Sequence, residues 1–353
     1  MLKNDTKSSF GINEHKIGTG YPCFVIAEIG QAHDGSLGTA HAYIDAVAKT
    51  GVQAIKFQTH IAEAESSPNE KFRVNVFPQD ENRYEYWRRM EFTEAQWVGL
   101  MKHANDKGLV FLSSPFSFQA VELLERIGMP AWKIGSGEVG NTPMLQKIAQ
   151  THKPILLSSG MSYWQEIDAA IATILNFHGN IGVFQCTTSY PCPAEKIGLN
   201  VISDIKDRYG SPAGLSDHSG TIYPSLAAVA LGANIIEVHV VLSNDSFGPD
   251  VSSSITIDEL SNMVEGIRFN EKALSSNIDK DLEANGMNEV RQLFGKSIYY
   301  LHDLVQGHEL DFSDISLKKP GTGIPASMLN KFIGRKLKKP CFKGEQLKKD
   351  DFS

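Results

Sequence analysis

Residues 109–136, LVFLSSPFSFQAVELLERIGMPAWKIGS, decide the fold. The segment opens on a β-branched and aromatic run ending in two serines (109–114). It continues through an amphipathic stretch from Phe118 to Ile127 and closes on a second short run, AWKIGS (131–136). Strand, helix, strand is the unit of a parallel sheet. The same kind of run recurs at CFVIAEI (23–29), AIKFQ (54–58), PILLSS (154–159), IGVFQCT (181–187), AGLSDHS (213–219) and IIEVHVV (235–241). Helical patterns such as Leu37–Thr50, Thr93–Lys107, Tyr163–Asn176 and Ser225–Leu231 lie between them. Eight units over ~220 residues predict an α/β fold of the (β/α)8 TIM-barrel class. An open doubly wound sheet is the alternative, but it normally has fewer units, and no GxGxxG follows the first strand.

Three segments stand apart from this alternation. Residues 60–92 form a long connection, expected as a functional or mobile loop near the barrel mouth. The barrel is expected to span residues 1–274, N-terminal extension included, and residues 275–294 read as a polar linker with a helical segment. Residues 295–353 form a separate small module with strand-like runs at 297–301 and 314–320 and a short helix around Pro325–Phe332. Fewer than ~60–70 residues give a thin core, so this module is expected to lean on another surface.

Composition narrows the function. Against 34 Lys/Arg stand 41 Asp/Glu in 353 residues, a formal charge of −7. That mild acidic excess argues against nucleic acid or an anionic membrane as partner. No apolar run reaches the ~18–20 residues of a membrane span. The first 18 residues hold no apolar signal core, and the four cysteines form no CxxC pair, so a cytoplasmic location is expected.

In a TIM barrel the site lies where the strands end. Here the strand ends present Glu28; Lys56 and Gln58; Ser113 and Ser114; Lys133, Ser136 and Glu138; Ser158 and Ser159; Thr187, Thr188 and Tyr190; Ser216, Asp217 and His218; and Glu237 and His239. The two lysines and the ring of hydroxyls suit a small phosphorylated anion. Each lysine alone reads equally as a salt-bridge partner of a neighbouring carboxylate. His218 and His239 end adjacent strands, so their imidazoles can converge on one divalent metal and leave positions for water and substrate. The alternative is two hydrogen-bonded core histidines, with Asp217 and Glu237 beside them as supporting or structural groups. Glu138 could serve as acid/base or orient a water; its other reading is a pair with Lys133. Asp250, in the GPD turn at 248–250, reads locally as structural. His60 stands out among the remaining histidines because it closes KFQTH (56–60).

Read together, FVIAEIG (24–30), KFQTH (56–60), FLSSPF (111–116), KIGSGE (133–138), LLSSGM (156–161), CTTSYP (186–191), GLSDHS (214–219), EVHV (237–240), GPD (248–250) and KKPGTG (318–323) resemble the sialic acid synthase family, from about residue 20 to the C-terminus. The resemblance implies a (β/α)8 barrel followed by a C-terminal antifreeze-like (SAF) domain. It also implies a domain-swapped homodimer whose small domain caps the partner's barrel. The implied activity is a transferase reaction: condensation of phosphoenolpyruvate with an N-acyl hexosamine, N-acetylmannosamine first, giving a nonulosonic (sialic) acid and phosphate. A divalent metal is implied, commonly manganese, with magnesium or cobalt as alternatives. Residue by residue, His218 and His239 match the metal ligands. Lys56, Ser114, Lys133, Ser136, Ser158, Tyr190 and Ser216 match the phosphoenolpyruvate pocket. Glu28, Gln58 and Asp250 match sugar-binding positions, and Glu138 matches a residue that handles the attacking water or its proton.

The chain departs from the family's pattern in three places. An Asn-His pair is usual in the first loop, which here reads Gln31-Ala32-His33-Asp34-Gly35. Thr188 replaces a common Asn. Lys319 replaces an Arg that contacts the sugar in the partner's site, keeping the charge and losing the bidentate fork. These changes bear on which sugar is bound. Legionaminate, pseudaminate and phosphorylated-sugar synthesis therefore stay open, as do synthesis of a shorter ulosonate and a sugar-binding barrel without turnover.

Overall fold

The computed structural model describes residues 6–72 and 79–352, which fold as two units divided after Ser275. In the first unit a hairpin, β1 (Ser9–Ile12) and β2 (His15–Gly18), precedes eight parallel strands. These are β3 (Phe24–Gly30), β4 (Ala54–Thr59), β5 (Val110–Pro115), β6 (Trp132–Ile134), β7 (Ile155–Ser158), β8 (Ile181–Cys186), β9 (Ala213–Asp217) and β10 (Ile235–Val241). The ladder runs β5-β4-β3-β10-β9-β8-β7-β6, and β5 and β6 face each other across the seam of a nearly closed barrel. All eight strands coincide with the runs read from the sequence.

Period-two alternation sorts each strand. Val25, Ala27 and Ile29 of β3 point outward and pack on Tyr43, Ile44 and Val47 of helix α1 (Leu37–Val47). Phe24 and Ile26 point inward and join Ala54, Val110, Leu112, Leu156, Phe184 and Ile235 in a second apolar cluster. The hairpin, which the sequence reading left unassigned, completes that cluster with Phe10, Ile12 and Ile17. Gly182 keeps this inner face close-packed, because a Cβ there would lie 2.8 Å from Ile235 Cδ1 and 3.3 Å from Phe10 Cζ and would have to displace those side chains. The lower barrel is therefore dry and filled, which leaves the strands' C-terminal ends to hold polar groups.

Residues 60–92 are not the plain loop expected. Their described part carries α2 (Ala62–Glu65) and α3 (Arg83–Met90). Asn82 caps α3 by accepting from Glu85 N, at 3.0 Å. Tyr86, Trp87 and Met90 bury one face of the helix against Ala62. That stripe is hidden in sequence because NRYEYWRRM carries four charges in nine residues. Residues 73–78 of this connection lie outside the described ones.

The second unit begins with α-helical segments at Lys280–Gly286 and Asn288–Phe294, where the sequence suggested a linker with one. An antiparallel pair follows, Ser297–Tyr300 with Ile315–Lys318, and a 3-10 turn at Ala326–Lys331. Its core is small, built on residues such as Ile298, Tyr300, Leu310, Phe332 and Phe352. Tyr300 Oη, buried there, donates to Asp351 Oδ2 at 2.9 Å.

Candidate active site

Above the dry layer, the next inward position is polar on every strand but β8, which presents Cys186. Because residues two apart share a face, Lys56 and Gln58, Ser216 and His218, and Glu237 and His239 all turn into one space. Parallel register puts Glu28 beside Lys56 on one side and beside His239 on the other.

The floor is a buried network of opposite charges. Lys56 forms an ion pair with Glu28 and lies 3.7 Å from Glu237 Oε1. Lys133 Nζ sits 3.0 Å from the same Glu237 oxygen. Lys56 also donates to Ser114 Oγ at 3.2 Å, Lys133 to Ser158 Oγ at 2.8 Å, and Ser216 Oγ to Glu237 Oε1 at 3.2 Å. Burial favours neutral Lys56, yet the charges of Glu237 and Glu28 outweigh it and hold the ammonium above its usual range. Burial likewise opposes charge on Glu237, but Lys133 and Lys56 outweigh it and hold the carboxyl well below its usual range. Both readings of the lysines therefore apply at once: each is salt-bridged, and each lines the cavity. An ammonium has three donors, so Lys133, with Ser158 and Glu237 as partners, keeps one for an anion, whereas Lys56 already faces Ser114, Glu28 and Glu237. Glu237 Oε2 is buried with no hydrogen-bond partner among the described residues.

The two histidines are neighbours, with ring centroids 5.3 Å apart and an interplanar angle of 58°. His218 Nδ1 donates to Thr187 O at 2.9 Å, which leaves the Nε2 lone pair facing Tyr190 Oη at 3.2 Å. Burial, then the neighbouring His239, pushes the His218 pKa down to about 3. A neutral imidazole with an oriented lone pair is what metal ligation requires, so His218 fits a divalent ion, with the His239 ring beside it. Among the described residues no group of three or more His, Cys, Asp or Glu is placed to hold a metal. An ion here would take its other ligands from water and substrate oxygens.

Glu138 is half-buried at the rim. It accepts from Asn141 Nδ2 at 2.8 Å and is not paired with Lys133, whose partners are Ser158 and Glu237. Burial raises its pKa above the usual carboxyl value. Ser136 Oγ accepts from Gly160 N at 3.1 Å. A Cβ on Gly160 would collide with Ser136 Oγ and Thr188 Oγ1, so glycine keeps this cradle open. Asp217, by contrast, accepts from Ser219 N and Oγ at 3.0 and 2.8 Å, a local turn function.

Of the fifteen residues given a catalytic, binding or metal role from sequence, fourteen line this single cavity of about 400 Å³, within the range of small-molecule sites. They are Glu28, Lys56, Gln58, Ser114, Lys133, Ser136, Glu138, Ser158, Thr188, Tyr190, Ser216, His218, His239 and Asp250. The fifteenth, Lys319, lies in the second unit, its ammonium 4.7 Å from the centroid of the Phe294 ring. The wall also contains residues to which the sequence reading gave no catalytic, binding or metal role, although it had noted Glu237 and His60. Glu237 is the central one, and its i, i+2 spacing to His239 was the available signal. Gln31, His60 and Trp87 are among the others, brought in by tertiary packing.

The NeuB family model matches residues 43–279, about two thirds of the chain, and the SAF domain model matches 295–353. The chain belongs to the NeuB family. An N,N'-diacetyllegionaminic acid synthase of Legionella pneumophila is 33% identical over 331 residues, covering 91% of this chain and 92% of that protein. The human N-acetylneuraminate-9-phosphate synthase is 32% identical, with 91% and 90% covered. A crystal structure of an N-acetylneuraminic acid (sialic acid) synthetase from Leptospira borgpetersenii, in complex with citrate, superposes with a TM-score of 0.70 at 28% identity, covering 80% of this chain and 98% of that one. In this chain the NeuB match therefore precedes the SAF match.

Proposed function

We propose that this NeuB-family protein condenses phosphoenolpyruvate with an N-acylated hexosamine to give a nonulosonic acid and phosphate. The observation that carries the reading is the convergence of two lysines, a hydroxyl ring and a histidine pair on one cavity. Relatives named for legionaminic, neuraminic-9-phosphate and pseudaminic acids support the reaction class and leave the sugar open. N-acetylmannosamine is the first acceptor to try.

Lys56 and Lys133 would hold phosphate and carboxylate, with Ser114, Ser136, Ser158 and Ser216 as further donors. Fixing both anionic ends aims the methylene carbon at the acceptor and converts a bimolecular encounter into a local one. Glu28, Gln58 and Asp250 would orient the sugar. His218 and His239 would hold a divalent metal, manganese first, which supplies Lewis-acid polarisation of the aldehyde oxygen. Carbon–carbon bond formation leaves positive charge at the enol carbon, and water adds there. Glu138 stands at the rim to take that water's proton, after which phosphate leaves by C–O cleavage.

The same reading includes a homodimer whose SAF domain caps the partner's barrel, with Lys319 reaching the sugar. Val305, Phe312 and Phe342 are exposed apolar residues on the small unit. It also includes a cytoplasmic location, supported by four free cysteines. No helix among the described residues is long and apolar enough to cross a membrane. The deciding experiment is phosphate release from phosphoenolpyruvate and manganese with a panel of N-acyl hexosamines and their phosphates. No release with any six-carbon amino sugar defeats the proposal.

A further inference from the structure

His60 is held from four sides. Its ring lies between Trp87, at 3.8 Å and 12°, and Phe116, at 4.5 Å and 6°. Its Nδ1 is 2.6 Å from Glu65 Oε1, and its Nε2 is 2.7 Å from Gln31 Nε2. Trp87 and Glu65 come from the connection over the mouth, Gln31 from the first loop and Phe116 from the third.

The polarity of this chain of contacts follows from the groups themselves. A carboxylate only accepts, so the proton between Glu65 and the ring sits on Nδ1. Nε2 then presents a lone pair, which the Gln31 amide fills with one of its two N–H bonds. The second N–H of that amide donates to Gln58 Oε1. With its oxygen so occupied, Gln58 turns its own nitrogen inward, where Nε2 donates to Glu28 Oε1 at 2.8 Å. Nε2 also lies 3.2 Å from Gln58 Oε1, a contact in which a bare nitrogen forms no hydrogen bond, so it is the Gln31 amide, donating to both, that links the ring to Gln58.

We propose that Glu65, His60 and Gln31 are positioning residues that fix the Gln58 amide with its N–H face toward the acceptor sugar. The inference rests on the proposed function for the identity of that acceptor. It makes the connection at 60–92 more than a cover: Glu65 on α2 sets the hydrogen-bond sense of a residue at the end of β4. The ligand group matched by such a donor is an oxygen acceptor, a hydroxyl or an acyl carbonyl.

Two variants test it without emptying the space. Gln31→Glu keeps the shape and removes both donors; His60→Phe keeps the stack between Trp87 and Phe116 and removes both nitrogens. The expected result is a KM for the acceptor sugar raised at least tenfold in each, with the KM for phosphoenolpyruvate within twofold of wild type and the thermal midpoint retained. An unchanged acceptor KM, or an equal rise in both KM values, overturns the proposal. A second readout does not depend on turnover. Imidazole 15N spectra of the wild type, assigned against His60→Phe, should show His60 protonated at Nδ1 and bare at Nε2. A ring bearing its proton on Nε2 sinks the inference even in an active enzyme. Wild-type protein inactive on every amino sugar defeats the functional reading instead, and the spectrum still decides the tautomer.

Discussion

Lys133 Nζ and Glu237 Oε1 meet 3.0 Å apart beneath the mouth of the barrel, both side chains 5% exposed or less. Residues 104 positions apart in the chain are thus locked into the floor of one cavity. Lys56 approaches the same oxygen from the other side, so one carboxylate separates two ammonium groups. An anion entering from above meets lysines already held in place, with their reorganisation done during folding.

Removing that carboxylate should unfold the protein before it alters chemistry. Glu237→Leu leaves two buried ammonium groups with one remaining carboxylate, and loss of one member of a buried ion pair costs about 3–5 kcal/mol. Urea unfolding should show the midpoint lowered with an unchanged slope. A variant as stable as wild type would show that solvent, not Glu237, balances the lysines.

The histidine pair should be required for both metal and turnover. His218→Ala and His239→Ala are each expected to lower kcat by at least about 10²-fold, the scale of losing one electrostatic contact to a developing oxyanion. Manganese titration of each variant by calorimetry should show the site weakened. Full activity in either variant after chelation and metal return would refute the assignment.

Glu138 predicts a pH limb. Burial raises its folded pKa above the ordinary 4.5, so its proton is retained to higher pH than in the unfolded chain. If it must be ionised to accept a proton, activity falls as the pH drops through that raised value. The Asn141 hydrogen bond opposes the shift, so Asn141→Ser, which keeps a helix-capping oxygen and loses the amide donor, should move the acid limb to higher pH. The stability sign runs the other way from a paired carboxylate. A raised pKa favours the fold below the unfolded value and loses that contribution as pH climbs through the folded one. Glu138→Gln should therefore abolish turnover at neutral pH with no loss of thermal stability. An acid limb that ignores both substitutions rules Glu138 out as the titrating group.

The hairpin at the barrel floor should be needed for stability and not for chemistry. Phe10 is 5% exposed among inward apolar residues, and Phe10→Ala should cost about 3–5 kcal/mol through the cavity it opens. Denaturant melts check this, and the KM for phosphoenolpyruvate should not move. A loss under about 1 kcal/mol would mean the barrel floor collapses around the gap.

The proposed capping by a partner makes a complementation prediction. His218→Ala and Lys319→Ala homodimers should each be nearly inactive. If Lys319 serves the other protomer's cavity, co-expressed mixtures recover activity, because one site in the mixed dimer then carries neither change. Mixtures no more active than their components argue that Lys319 acts on its own barrel or on none.

Some of this molecule is legible one residue at a time. The eight strand runs and the polar group at each strand end follow from local alternation, because a strand's period of two fixes which side chains share a face whatever it later packs against. The same alternation, applied to EVHV, points Glu237 the same way as His239, but nothing local says that this carboxylate balances two lysines from other strands. His60 is the clearer case. Its neighbours in sequence are ordinary, and its neighbours in space are Trp87, Phe116, Glu65 and Gln31, gathered from four segments. The helices at 62–65 and 83–90 were hidden for a related reason: three apolar residues make a face only when another surface buries them.

The sequence alone determined the barrel, the small following domain and the set of residues at the strand ends, because periodicity and side-chain chemistry are local properties. Tertiary structure alone decided which lysine meets which carboxylate, that Glu138 is free of Lys133, and which way the Gln58 amide faces. Those outcomes depend on the register between strands distant in the chain and on which polar groups are shut away from water, and neither is written in any single segment.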